Sequence, residues 1–302
     1  MIAGYSMPAT PDDSYVWFVE TGSNQVGKIS PFGVITQTSL PAGAQPNFIA
    51  SISSNGDTLC CITHYYLVTE PGINQLASIA GPTYGVPTAN AGLRGIAAAG
   101  YTAVFTEYNL NQIGELSSYT SGTAEYTLPT PNSGPTAIAA GYSGNFWIVE
   151  SNTNRIALFN SGAFTISEYD IPTANAGVSA ITSSGSPGPD AYFAEQTANK
   201  IGAVTSTGVI TEFPIPTANT GINALVVGPS GNVWFTEPNV NRIGMMTPTG
   251  TFKEYQVPTA NAGLAGISLG DRGTTTVYGS CCVDNRIWFT ERNANKIGVL
   301  SP

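Results

Sequence analysis

The sequence predicts an all-β fold: a seven-bladed β-propeller of four-stranded antiparallel blades, forming a single domain over residues 1–302. Three observations predict it. One short pattern recurs seven times, its copies lie 50, 37, 43, 45, 42 and 54 residues apart, and no segment holds the period of a helix. Propeller blades take about 40 to 45 residues each, so the intervals correspond to one blade per copy.

The repeated pattern is a hydrophobic run that ends in glutamate, with an asparagine four residues later and a branched aliphatic residue two residues after that. The glutamates are Glu20, Glu70, Glu107, Glu150, Glu195, Glu237 and Glu291. The asparagines are Asn24, Asn74, Asn111, Asn154, Asn199, Asn241 and Asn295. The aliphatic residues are Val26, Leu76, Ile113, Ile156, Ile201, Ile243 and Ile297. Seven matches at one spacing indicate seven copies of one structural unit.

Each copy divides into four predicted strands. Strand A is a run of small apolar residues such as 95–99, which fits the crowded inner wall of a propeller. Strand B is the aromatic run that ends in the glutamate, and strand C follows a hairpin at the asparagine and carries an Ile-Gly pair. Strand D is an alternating run such as 252–257, and a proline ends it because proline cannot donate to the ladder. A Pro-Thr-Ala-Asn segment then leads to the next blade.

Two alignments describe how the ring closes. Residues 1–6 resemble strand A at 138–143, so they can form the inner strand of blade one and leave blade seven without its outer strand. Alternatively, residues 2–7 resemble strand D at 252–258 and complete blade seven, leaving blade one without its inner strand. We favour the first alignment.

The charge pattern excludes several classes of partner. The net charge is −9, and the 10 Lys and Arg residues are scattered singly, so we expect neither nucleic-acid binding nor attraction to anionic membranes. No apolar run is long enough for a spanning helix, and residues 1–6 lack the regions of a signal peptide. Charged residues make up 10% of the chain, against about 25% in ordinary soluble domains. This neutral, polar composition favours an extracellular, cell-surface or virion location.

The repeat also carries a family resemblance. Its best copy reads Trp-Phe-Thr-Glu237, then Asn241-Arg-Ile-Gly, then Glu254-Tyr and Pro258-Thr. This pattern resembles the streptogramin lyase (virginiamycin B lyase) propellers over essentially the whole chain. The resemblance implies a seven-bladed, metal-dependent enzyme that opens the ring ester of a cyclic peptide antibiotic by elimination. It also implies catalytic histidines at the start of strand A in the late blades.

This chain departs from the family at those positions. Asn223 and Ala265 stand where the resemblance places the histidines, and Gly263 stands where it implies a carboxylate. Acid–base catalysis at neutral pH commonly uses histidine, and neither Asn nor Ala can replace it. The one histidine of the chain, His64, lies elsewhere, between Thr63 and Tyr65. We therefore expect no enzyme activity, no catalytic or metal-binding residues and no cofactor, and we interpret His64 as a packed or surface residue.

The repeated glutamates and asparagines have two interpretations. A ring of carboxylates can bind a cation. Residues that occupy the same place in every blade more often hold a hairpin or bridge neighbouring blades, and we favour this structural role for the seven glutamates. The asparagines are interpreted in the same way, since asparagine tolerates left-handed turns and bonds local backbone.

Four cysteines form two matched pairs. Cys60 and Cys61 lie ten and nine residues before Glu70, and Cys281 and Cys282 lie ten and nine residues before Glu291. We expect them to be oxidised as disulfides, with a zinc site or reduced thiols as the alternatives. Both pairs fall in lengthened A–B hairpins of blades two and seven, and the equivalent segment of blade one, 7–13, is also long.

These features give three hypotheses of function. The first is a non-catalytic structural or interaction subunit that contacts protein neighbours, including copies of itself, through the sector of blades seven, one and two. The second is a relative of the lyases or a lactonase-like metal hydrolase. The third is a carbohydrate-binding propeller that holds surface glycans on aromatic residues such as Tyr65, Tyr66 or Tyr84. We favour the first.

Overall fold

The structure is a computed structural model that describes residues 15–54, 63–79, 81–117, 122–184, 189–270 and 285–302. It confirms the predicted all-β propeller. Within these residues, 26 strands form seven antiparallel sheets, of which five have four strands and two have three. The described helical segments are single 3₁₀ turns at Tyr108–Leu110, Pro229–Gly231 and Arg292–Ala294. No helix in the described ranges is long and apolar enough to cross a membrane.

The first three blades occupy the N-terminal part of the chain. Blade one has β1 (Val16–Glu20), β2 (Gln25–Ile29) and β3 (Ile35–Ser39). Blade two has β4 (Ile49–Ser54), β5 (Thr63–Glu70), β6 (Gln75–Ser78) and β7 (Thr83–Gly85). Blade three has β8 (Leu93–Ala99), β9 (Thr102–Glu107), β10 (Gln112–Ser117) and β11 (Thr123–Thr127).

The remaining four blades follow in chain order. Blade four has β12 (Pro135–Ala140), β13 (Asn145–Glu150), β14 (Arg155–Asn160) and β15 (Thr165–Asp170). Blade five has β16 (Val178–Ser183), β17 (Ala191–Glu195), β18 (Lys200–Val204) and β19 (Ile210–Pro214). Blade six has β20 (Leu225–Val227), β21 (Val233–Glu237), β22 (Arg242–Met246) and β23 (Phe252–Gln256). Blade seven has β24 (Leu264–Leu269), β25 (Ile287–Glu291) and β26 (Lys296–Leu300).

The repeated asparagine shapes each B–C hairpin. All seven asparagines have left-handed backbone, with φ between 52° and 58°. At Asn199, Nδ2 donates to the carbonyl oxygens of Ile215 (3.2 Å) and Thr217 (2.9 Å), while Oδ1 accepts the N–H of Thr220 (2.9 Å). The side chain therefore ties the end of strand D and the linker that follows it to the B–C hairpin of the same blade.

The Ile-Gly pair of strand C has a packing reason. In blade five Gly202 lies opposite Phe193 in the strand pairing. A Cβ at Gly202 would stand 2.1 Å from Cζ of that ring, so the ring lies directly on the glycine backbone. The same close contact occurs at Gly114 beneath Phe105. Only glycine allows the strand B aromatic ring to lie flat across strand C.

The hydrophobic core lies between neighbouring blades. Between blades five and six, Tyr192 and Ile201 pack with Leu225 and Phe235, all of them buried. Blade seven packs against blade one in the same way, through a cluster of Val16, Phe18, Ile29 and Trp288. Arg286 adds a hydrogen bond from Nη2 to the carbonyl oxygen of Pro31 (3.3 Å). The ring is therefore closed by contact between its last and first blades.

The choice between the two closure alignments lies outside the described residues. The described strands of blade one are B, C and D, and those of blade seven are A, B and C. The two alignments differ in the strand that they assign to the first seven residues, and residues 1–14 are not described. The four cysteines and the lengthened A–B segments also fall outside the described ranges.

Candidate functional site

An open cavity of about 640 Å³ lies across the ends of blades five, six and seven. Its lining comes from two places in the repeat: the residues just after the strand B glutamate and the linker just before strand A. These places meet because the B–C hairpin and the D–A linker are at the same end of a blade. The lining residues are Gln196, Thr197, Asn219, Gly221, Asn223, Pro238, Asn239, Gly263, Leu264, Arg292 and Asn293.

Amide side chains build the rim of this cavity. Asn239 Nδ2 donates to the carbonyl oxygen of Asn219 (3.1 Å), and Asn293 Nδ2 makes the equivalent bond to Asn261 (3.1 Å). Gly221 has φ of +68°, and a Cβ there would lie 2.5 Å from Asn239 Nδ2. Glycine is needed at this place both for the backbone conformation and for the close approach of the amide. These amide groups are neutral, and their own hydrogen bonds hold them in place.

Asn223 lines the cavity, whereas Ala265 is buried beside it. The hydroxyl of Thr236 accepts the N–H of Ala224 (3.1 Å) and donates to the carbonyl oxygen of Ala265 (3.3 Å). Asn223 Nδ2 makes one long hydrogen bond, 3.4 Å, to the same carbonyl oxygen. Of the two positions that the resemblance assigns to histidines, the one at Asn223 thus reaches the cavity, with an amide in place of an imidazole.

Arg94 occupies the equivalent position in blade three. The N–H of the next residue, Gly95, bonds the strand B threonine hydroxyl of Thr106 (2.8 Å), just as Ala224 bonds Thr236. The exposed guanidinium of Arg94 lies 4.2 Å from the centroid of the Tyr108 ring. Our sequence reasoning did not select Arg94. The sequence does contain the information, because Leu-Arg-Gly-Ile at 93–96 matches Leu-Ala-Gly-Ile at 264–267 and so aligns Arg94 with Ala265.

Arg292 is the charged side chain of the cavity lining. It directly follows Glu291 and begins the 3₁₀ turn Arg292–Ala294, which projects it from the end of blade seven. Its side chain is exposed and forms no ion pair with any described residue. The sequence analysis missed Arg292 because it compared the glutamates of the repeat and not the residue after each of them.

The repeated glutamates are mostly buried behind this surface. Those of blades two to six have no exposed surface, and Glu291 is 5% exposed. Glu20 differs because it is half-exposed, and its carboxylate accepts hydrogen bonds from Ser23 (2.7 Å) and Gln37 (2.7 Å). Neither carboxyl oxygen of Glu195 or Glu237 has a donor among the described residues. These buried carboxyls do not line the cavity, although the residues that follow them do.

Burial sets the protonation of these glutamates. It raises the pKa of Glu237 to about 7, with a further contribution from the nearby charge of Glu254 and an opposing one from Arg242. Burial and the charge of a neighbouring glutamate likewise raise the pKa values of Glu107 and Glu150 to about 8 and that of Glu195 to about 7. Near neutral pH these groups therefore carry their proton much of the time.

The neighbouring charges come from a second glutamate on strand D, which the sequence analysis did not select. In blade five, Glu212 Oε1 accepts the N–H of Thr173 (2.9 Å), and Oε2 accepts its hydroxyl (2.7 Å) and Lys200 Nζ (2.7 Å). Burial alone would raise the pKa of Glu212, but the hydrogen bonds from Lys200 and Thr173 hold it below its ordinary value. Since Thr173 belongs to the linker after blade four, the contact joins adjacent blades. Corresponding contacts join Thr88 to Glu125, Thr130 to Glu168 and Thr217 to Glu254.

The cavity lining offers hydrogen bonds and one positive charge, but no base. Its described side chains include no carboxylate, histidine, cysteine, lysine or tyrosine. No group of three His, Cys, Asp or Glu residues that could hold a metal occurs in the described ranges. The metal implied by the resemblance prefers several oxygen ligands that include carboxylates. The cavity lining, which has neutral amides and the cationic Arg292, therefore does not fit such a metal ion.

The remaining predicted residues lie away from the cavity. His64 and Tyr65 are in β5, and their side chains are outside the described set. Tyr66 stacks on Trp17, with ring centroids 4.3 Å apart, and Tyr84 packs on the core cluster of blades two and three. The rings of Tyr66 and Tyr84 are half-buried. The carbohydrate-binding hypothesis stays a prediction.

Comparison with known proteins identifies the family. The model of the virginiamycin B lyase family matches residues 71–302. Among solved structures, selenomethionine-substituted virginiamycin B lyase from Staphylococcus aureus is 30% identical with a TM-score of 0.82, covering 99% of this chain and 95% of that one. A catalytically inactive histidine-to-alanine form of the S. aureus lyase with quinupristin is 31% identical, with a TM-score of 0.81 and coverage of 100% and 95%. A streptogramin B lyase is 28% identical, with a TM-score of 0.79 and coverage of 100% and 96%. No curated protein sequence matches significantly.

These matches correct the expectation that the chain is not an enzyme. That expectation rested on Asn223 and Ala265 replacing the histidines, and it gave too little weight to the likeness of the whole chain to proteins that are lyases. The comparisons favour the lyase alternative and give no support to a structural, adhesive or virion role. The chain belongs to the virginiamycin B lyase family.

Proposed function

We propose that this protein is a streptogramin lyase-like enzyme that opens the ring ester of a cyclic peptide by elimination. The observation that carries the proposal is the likeness to the S. aureus lyase, at 30% identity over 99% of this chain. The cavity supports it, because it includes Asn223, the position at which the resemblance places a catalytic histidine.

The reaction balances without water as a reactant. The Cα–H bond next to the ester-bearing carbon breaks, and its electron pair forms a Cα=Cβ double bond. The Cβ–O bond then breaks, and the carboxylate leaves with that electron pair. The proton passes to hydroxide, which becomes water, since the described cavity side chains include no base. The product is an isomer of the substrate, opened at the ester.

The described side chains have a binding and orienting role in this scheme. The amide groups of Asn223 and Gln196 can donate hydrogen bonds to peptide carbonyls of the ring. Asn223 Nδ2 makes only the long 3.4 Å bond to Ala265, so a hydrogen bond to a ligand would replace only a weak one. Such contacts hold the reacting Cα–H bond in a fixed orientation, which can lower the barrier without a protein base.

The test is turnover of quinupristin by the full chain, followed by chromatography and mass spectrometry. We expect an isomeric, ring-opened product. The rate should rise with pH and show no step at the ordinary histidine pKa of about 6.5, because hydroxide is the proton acceptor. Asn223→Ala should lower the rate by about tenfold, as expected for the loss of one hydrogen bond to substrate.

Thr136→Ala is the matched control. Thr136 holds the same strand A position in blade four, where its carbonyl oxygen accepts the hydroxyl of Thr106 (2.8 Å), but it does not line the cavity. It should keep the wild-type rate. Binding of quinupristin without turnover, or equal rates for Asn223→Ala and wild type, would contradict the proposal.

A further inference from the structure

The positively charged residue of the cavity, Arg292, forms no ion pair within the described part of the protein. Arg292 lines the cavity, is exposed, and has no ion-pair partner among the described residues. The other basic residues mostly have partners. Arg155, Lys200 and Arg242 form salt bridges with strand D glutamates. Lys28, Arg94, Lys253 and Arg286 lie over aromatic rings.

Among the described residues, no other ionised side chain lines the cavity beside Arg292. The described side chains around it in the cavity are amides, a threonine, a proline and a leucine, and none of them is ionised. The adjacent carboxyl of Glu291 is 5% exposed, and those of Glu195 and Glu237 are fully buried. Burial raises the pKa values of Glu195 and Glu237 to about 7, which reduces their negative charge at neutral pH. An anion in the cavity would therefore meet a guanidinium and neutral amide donors.

We propose that Arg292 binds a peptide carboxylate in this cavity. Guanidinium and carboxylate match in geometry and charge, and paired N–H···O bonds between them are among the stronger hydrogen bonds of proteins. Gln196 and Asn239 lie in the same lining, and each amide has a second hydrogen besides the one donated to the carbonyl oxygen of Gly221 (3.3 Å) or Asn219 (3.1 Å). If the protein has the proposed lyase function, this carboxylate is the one that is released when the ring ester opens. Only this identification of the carboxylate rests on the proposed function. Arg292 would then stabilise the leaving group as its charge develops.

The probe is linear quinupristin acid, made by alkaline opening of the ring ester, compared with its carboxamide. Calorimetric titration of the full chain at low salt should show the acid binding about tenfold more tightly than the amide, as expected for one charged hydrogen-bonded pair. Arg292→Gln should abolish this preference. Raising the salt concentration should weaken it, because the site is open to solvent.

Lys296→Gln is the matched control. Lys296 is exposed, lies four residues further along, and is not part of the cavity lining. The Lys296→Gln substitution removes one positive charge, as Arg292→Gln does. This variant should retain the preference for the acid. Equal binding of acid and amide by the wild type, or a preference that survives Arg292→Gln, would overturn the proposal. A preference for the acid without any turnover would leave this inference standing and contradict only the proposed lyase function.

Discussion

The buried glutamates make stability depend on pH, and Glu237 allows this to be measured at one site. Its carboxyl is fully buried, neither oxygen has a donor among the described residues, and its pKa is raised from 4.5 to about 7. In the unfolded chain the group ionises near 4.5, whereas in the folded protein it keeps its proton to about pH 7. The folded state therefore loses stability as the pH rises through this window.

The size of the effect follows from the shift in pKa. One pKa unit corresponds to about 1.4 kcal/mol. The contribution of Glu237 to the free energy of unfolding should therefore fall by about 2 kcal/mol between pH 5.5 and pH 8.5. Glu237→Gln removes the titration and keeps the shape of the side chain. The pH-dependent loss of unfolding free energy should then be about 2 kcal/mol smaller in the variant than in the wild type.

The assay is urea unfolding followed by tryptophan fluorescence at several pH values. Glu20→Gln is the control, because Glu20 has the same place in the repeat but is half-exposed and already hydrogen-bonded to Ser23 and Gln37. Identical pH dependence in the wild type and Glu237→Gln would refute the claim that burial keeps this carboxyl protonated.

Two further predictions concern the contacts within and between blades. Thr173→Val removes the hydroxyl that donates to Glu212, and it should lower the unfolding free energy by about 1 to 2 kcal/mol. In urea unfolding the exposed change Thr207→Val should have little effect, and an equal loss in both variants would contradict the role of the interblade contact. Asn199→Ala should cost about 3 kcal/mol, because it loses the linker hydrogen bonds and places alanine at φ of 56°. Asn199→Gly should cost about 1 kcal/mol less, since glycine accepts that φ, and a larger loss for glycine would contradict this account.

The repeat allowed most of the fold to be predicted from the sequence. A unit that recurs seven times at blade-like spacing specifies the number of blades and the order of strands within each. The asparagine at each B–C hairpin was recognisable because few residue types adopt left-handed backbone readily. These are local features, and they depend on residues close together in the chain.

The site was harder to predict because it is formed between blades. Glu212 lies in an alternating strand and resembles a solvent-exposed residue in the sequence, yet its partner Thr173 is 39 residues away in the preceding blade. The corresponding pairs are separated by 37 or 38 residues, a regularity that an interval comparison could have found. Arg292 directly follows a repeat glutamate, but the comparison of the glutamates alone did not include it, and its cavity exists only where blades five, six and seven meet.

The family assignment also shows where reasoning from single positions failed. Asn223 and Ala265 suggested the loss of all activity, whereas the whole chain matches the lyases in sequence and fold. Replacing a base removes one contribution to catalysis and leaves binding, orientation and electrostatic stabilisation in place. Asn223, Gln196 and Arg292 line the cavity, and they are the residues to which we assign such contributions in the proposed reaction.

Turnover of quinupristin in water labelled with heavy oxygen tests the central claim most directly. Elimination forms the ring-opened product without adding water, so the account predicts a product of unchanged mass that contains a new Cα=Cβ double bond and no label. A product heavier by one labelled water would identify a hydrolase, and unchanged quinupristin at high enzyme concentration would show that the chain is no lyase.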